Sequence, residues 1–128
     1  MAGRSFVQLL GAADPGVVLL GFSFATNGSS DPVATTITGR GVASVVLAST
    51  GVYTVTLQDV YPYLLSATAT LQLASADDKV VAQIGAVDLN AKTVQVRIYD
   101  LSTAALANVA AATGNRVNIT LVLKNSGV

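Results

Sequence analysis

The sequence predicts an all-β chain folded as an antiparallel β-sandwich with an N-terminal arm, on three grounds. Several segments alternate apolar and polar residues with period two, as half-buried strands do. Turn signals separate them at roughly the 8 to 12-residue spacing of a sandwich: Ser49-Thr50-Gly51, residues 59–62, 75–78 and 88–91. No helix-period pattern of useful length lies between them, which argues against βαβ units.

Taken in order, residues 6–10 and 17–24 are apolar and strand-like, but the breaker-rich link Thr26-Asn27-Gly28-Ser29-Ser30-Asp31-Pro32 sets them apart from the remainder of the chain. This divides the single domain into an N-terminal arm or strands over residues 1–33 and a sandwich over residues 34–128. The arm either adds strands to its own sheet or docks on a neighbouring subunit. In the docking reading Phe6, Leu9, Leu10, Val18, Leu20 and Phe22 are contact residues.

Residues 42–48 and 79–87 carry apolar side chains on both faces, the pattern of strands buried on both sides. Tyr53, Val55 and Leu57 alternate with Val52, Thr54 and Thr56. The clearest alternation is residues 65–73, with Leu65, Ala67, Ala69, Leu71 and Leu73 on the core face and Ser66, Thr68, Thr70 and Gln72 on the other. Val94, Val96 and Ile98 form the core face of the next strand. In the last strand Val117, Ile119, Leu121 and Leu123 oppose Arg116, Asn118, Thr120, Val122 and Lys124. Between these two, the Ala-rich residues 101–113 form a short helix or a surface excursion, and Leu106 and Val109 are further contact candidates.

Composition narrows the function. The 128 residues suit one core, and 52% hydrophobic content with 11% charge excludes a disordered chain. A folded monomer of this mass exposes roughly 6,300 Å², so the seven basic and seven acidic residues leave about one charge per 450 Å². A surface so sparsely charged is poorly protected against association, so much of it is expected to be contact surface. The seven basic residues are dispersed, which argues against nucleic acid. The longest strongly apolar stretch, residues 17–24, is too short for a bilayer span of about 20 residues. A signal peptide would need a longer apolar run than residues 6–10, so a cytoplasmic product is expected.

The chain has no His, Cys, Glu or Trp. Enzymes draw acids, bases and nucleophiles mainly from types missing here, so an enzyme is not expected. Asp77-Asp78 offers too few oxygens for calcium and reads as a solvated turn. Asp59, Asp88 and Asp100 stand at strand ends, where Asp makes side-chain turns. Tyr61-Pro62-Tyr63 reads as rim or core packing at a strand entry. No cofactor or metal site is expected.

The residues Ser49-Thr50-Gly51-Val52-Tyr53-Thr54-Val55-Thr56-Leu57, Ala69-Thr70-Leu71-Gln72-Leu73-Ala74 and Lys92-Thr93-Val94-Gln95-Val96-Arg97, together with residues 115–126 (NRVNITLVLKNS), resemble those of tailed-phage capsid decoration or cement proteins and their head-associated relatives. The resemblance runs from about Gly39 to Ser126, about two thirds of the chain. It implies a jelly-roll-like sandwich without catalysis that forms homodimers or homotrimers and clamps major capsid protein subunits. The corresponding location is the capsid exterior of a virion assembled in the host cytoplasm. A tail-fibre or other receptor- or sugar-binding sandwich is the alternative.

Overall fold

The computed structural model describes residues 16–77 and 79–125. They form two antiparallel sheets that pack face to face, an all-β sandwich. The strands are β1 (Val17–Ala25), β2 (Thr38–Gly39), β3 (Val42–Ser49), β4 (Val52–Leu57), β5 (Tyr63–Gln72), β6 (Val80–Asp88), β7 (Thr93–Asp100), β8 (Ala105–Leu106) and β9 (Arg116–Lys124). One sheet has the order β2-β1-β9-β5 and the other β3-β4-β7-β6, with β8 added to the end of β7.

Consecutive strands form short-turn hairpins at β3–β4, β6–β7 and β7–β8, and β1 pairs with β2 across a longer connection. The chain crosses from one sheet to the other after β2, β4, β5 and β8. Gly51 closes the first hairpin at φ 68° with its backbone pressed against Ala107 and Ile98, so a Cβ there would lie 2.7 to 2.8 Å from their main-chain atoms. Only glycine fits such a turn without strain.

The core sits between the central strands. Phe24 of β1, Tyr53, Val55 and Leu57 of β4, Val94, Val96 and Ile98 of β7, and Val117, Ile119, Leu121 and Leu123 of β9 are all 2% exposed or less. Each strand has a paired neighbour on both sides and a sheet across from it, so its inward residues have no route to water. The rings of Phe24 and Tyr53 meet at 5.0 Å with their planes tilted by 54°, a favoured aromatic geometry.

Residues 17–25 take the first of the two alternatives for the N-terminal region and add a strand to their own sheet: β1 pairs with β9 along its whole length, from Val17 opposite Lys124 to Ala25 opposite Arg116. What looks like a flexible link is anchored. Thr26 is buried and donates its hydroxyl to the Ala110 carbonyl at 2.9 Å, and Arg116 donates to the Ser23 hydroxyl at 2.9 Å and the Thr36 carbonyl at 2.7 Å.

β3 and β6 are not buried on both sides. They are edge strands, and their second apolar face points outward, with Val46 of β3 44% exposed. In β5 a register shift between Leu64 and Ser66 reverses the first residues, so Leu64 turns inward and Leu65, expected in the core, is 46% exposed. Residues 101–113 form no helix. They make a turn through Ala104 at φ 53°, then β8, then an irregular segment that covers one end of the sandwich.

Candidate interaction surfaces

Four carboxylates, the best candidates for chemistry in this chain, are committed to backbone amides. Asp77 accepts from the Lys79 amide, Asp88 from the Ala91 amide, and Asp100 from the Ser102 amide and hydroxyl at 2.9 and 2.6 Å. The Ser102 hydroxyl, its amide and other neighbours hold the Asp100 carboxyl below the usual carboxylate range. Asp31 accepts from the Leu47 amide on the outer edge of β3 at 2.9 Å. Among the described residues no three His, Cys, Asp or Glu side chains come together as a metal site. Asp78 lies outside the described residues.

A cleft of about 320 Å³ opens at one end of the sandwich, between the turn after β5 and the segment after β8. Leu73, Val80 and Val109 form its apolar wall, and Asp77, Asn108 and Asn115 its polar lining. Two of these polar groups are occupied in part by the fold, since Asn108 accepts from the Gly51 amide and Asn115 bridges the Ala74 amide and the Ala110 carbonyl.

The contact residues expected from the sequence are placed differently. Phe6, Leu9 and Leu10 lie outside the described residues. Phe22 is 5% exposed and belongs to the core, and Val18 and Leu20 are half-buried on the same inward face of β1. Leu106 is half-buried in β8 opposite Tyr99, and Val109 is buried against the core beside the cleft. Phe22, Val18, Leu20 and Val109 thus pack against the core of the sandwich, while Leu106 stays half-buried on β8. The exposed large apolar residues are others: Leu19, Val33, Val46, Val60, Tyr63, Leu65 and Leu101.

The two flanks of the sandwich differ. On the β2/β3 flank, β2 is two residues long, β3 shifts register at both ends, and the Asp31 carboxylate occupies the Leu47 amide. Short edges, bulges and capped amides are the devices that keep a sheet edge from recruiting another strand. On the other flank β5 and β6 run side by side, one from each sheet. β6 is interrupted by a register shift between Ile84 and Val87, where the Arg97 side chain lies over Gly85.

The edge of β5 carries no such device beyond its opening bulge. Residues 66–72 (SATATLQ) pair in unbroken register with β9, contain no charge and no proline, and have no strand on their other side among the described residues. The core is open along this flank as well. Ala67, Ala69 and Leu71 of β5 and Val80, Ile84 and Val87 of β6 are only half-buried, although all six pack against the core. Sequence alternation identifies strands but not which strand ends a sheet, so this edge becomes legible only from the pairing order.

Compared with protein-family models, curated proteins and solved structures, the chain has no match.

Proposed function

We propose that this protein is a non-enzymatic structural subunit of a virus particle, a capsid cement or decoration protein on the exterior of a tailed-phage head that bridges major capsid subunits and works as a homo-oligomer. The observation that carries the reading is the asymmetry of the flanks. One is blunted against association, while the other presents a long uncharged edge and a half-open core, as a surface made to be covered does. The sparse charge and the resemblance of residues 39–126 to cement proteins support it. A cement protein adds contact area between shell subunits, a task that needs a rigid sheet and no cofactor, nucleic acid or membrane.

The test is to add purified protein to heads that lack it. The cement reading expects co-sedimentation at a fixed stoichiometry and greater resistance of the heads to heat; heads that neither bind it nor gain stability contradict the reading.

A second reading, a tail-fibre or other receptor- or sugar-binding module, draws on the end cleft, whose apolar wall and neutral amides suit a small hydroxyl-rich ligand. Binding to a glycan array, lost on Asn108→Ala, would favour it.

A further inference from the structure

The edge of β5 with which no described strand pairs has a sequence that suits pairing with itself. In an antiparallel pair, residues directly opposite share one face and one hydrogen-bonding class. Two identical strands related by a two-fold axis can therefore pair only with a residue, not a peptide bond, on the axis. The segment after the bulge, residues 66–72, has its midpoint at Ala69. Centring the axis there pairs Ser66 with Gln72 and Thr68 with Thr70 on the exposed face, and Ala67 with Leu71 and Ala69 with Ala69 on the half-buried face.

Every pairing in that register matches polar with polar or apolar with apolar. Opposed threonines are favourable cross-strand neighbours, and with no charge on either strand no like charges are brought together. The alanines at the centre are small enough for the two open core rims to meet, so that Leu71 of each copy covers Ala67 of the other.

The competing edges fit less well. β3 is capped by Asp31, β6 is broken at its register shift, and the unpaired stretch of β1, residues 17–21, is shorter and has Leu20 packed against Gly41.

We propose that the sheet containing β5 is continued by the β5 strand of a second copy of this chain, in antiparallel register with Ala69 on the two-fold axis. The proposal rests on the reading of the protein as a self-associating structural subunit and names the surface by which it does so. The pairing joins two four-stranded sheets into one and buries the half-open flank of both sandwiches.

The full chain contains no cysteine, so a single Ala69→Cys reports the axis directly. Opposed residues have Cα atoms about 4.5 to 5.5 Å apart, within the disulfide range of about 4.4 to 6.8 Å. With oxidised glutathione as oxidant, reduced to glutathione as the two thiols join, A69C should form a covalent dimer at least tenfold faster than A67C. A67C should cross-link instead when mixed with L71C. In parallel, T68K/T70K and T68D/T70D alter only exposed side chains of the pair. Each variant should sediment as a monomer with the melting temperature of the dissociated parent, and an equimolar mixture should recover the dimer.

A parent that stays monomeric at micromolar concentration, a dimer indifferent to both charge variants, or an A69C that cross-links no faster than A67C would overturn the proposal. A monomer that still binds phage heads overturns this pairing and leaves the cement reading standing. An Ala69-centred dimer that binds no heads supports the pairing and removes the cement reading.

Discussion

The β2/β3 flank and the β5/β6 flank end the same two sheets in opposite ways. At the first, the outermost strands are short or bulged, and a carboxylate is spent on the Leu47 amide. At the second, seven residues of regular strand have one edge unpaired among the described residues, and the apolar residues beneath them are half-buried. Both flanks face the same problem, an unpaired row of amides and carbonyls, and among the described residues only one of them solves it. On the proposed reading, the contrast separates a flank closed to association from a flank offered to a second copy.

The greatest change should come from setting the sealed interior against the open flank. Leu121→Ala, in a strand with neighbours on both sides, removes a fully buried side chain and should cost roughly 3 to 5 kcal/mol in denaturant unfolding. Leu71→Ala, on the half-buried flank, should cost about 1 to 2 kcal/mol in dilute solution. Equal costs would mean that the β5 flank is as closed as the centre, and the contrast between the flanks would fall.

That contrast also separates what the sequence discloses from what it hides. The alternations of β4, β7 and β9 are plain because each strand is paired on both sides, with one face against the other sheet and the other outward, so composition follows the pleat. The strand at residues 65–73 has the cleanest alternation of all, yet its first core residue, Leu65, points outward. A bulge adds one residue to the count and reverses every side chain before it, and no periodicity records where that occurs. Apolar residues on both faces of β3 and β6 suggest central strands, whereas they are edges, with Val46 of β3 exposed and Val81 of β6 half-buried.

β1 is obscured for another reason. Residues 26–32 have the composition of a linker, and the contacts that hold them, Thr26 to Ala110 and Asn115, come from about ninety residues away in the chain. Contacts of that range leave no local trace. Of the candidate site, the sparse charge and the missing catalytic residue types are legible in the sequence, while the surface that matters depends on strand order.

A medium effect probes the blunted flank. Asp31→Ala leaves the Leu47 amide without its acceptor and should lower stability by about 1 kcal/mol. It should also give β3 some of the behaviour of β5, seen as new association in sedimentation when the β5 edge is blocked by T68K/T70K. Loss of stability without new association would reduce the carboxylate to a simple loop anchor.

The mildest change lies between the flanks. The Tyr53 hydroxyl is buried in the core without a hydrogen-bond partner among the described residues, and burial pushes its pKa above 10. Removing an unsatisfied buried hydroxyl costs little, so Tyr53→Phe should leave stability at neutral pH within about 1 kcal/mol of the parent, or raise it. Because the folded-state pKa is raised, the tyrosine's contribution is fully present below the unfolded value and fades as pH rises through the folded one. The parent should therefore lose stability above about pH 10, and Tyr53→Phe should lose less. A large loss at neutral pH would point to a partner for the hydroxyl inside the sandwich.

The most direct measurement is amide hydrogen exchange of the full chain over a range of protein concentration. Residues 66–72 should gain protection as concentration rises and lose it on dilution, while residues 42–49 on the opposite flank stay unchanged. Protection at residues 66–72 that is independent of concentration, or a rise confined to residues 42–49, would contradict the claim that the β5 edge is the surface this protein offers to a partner.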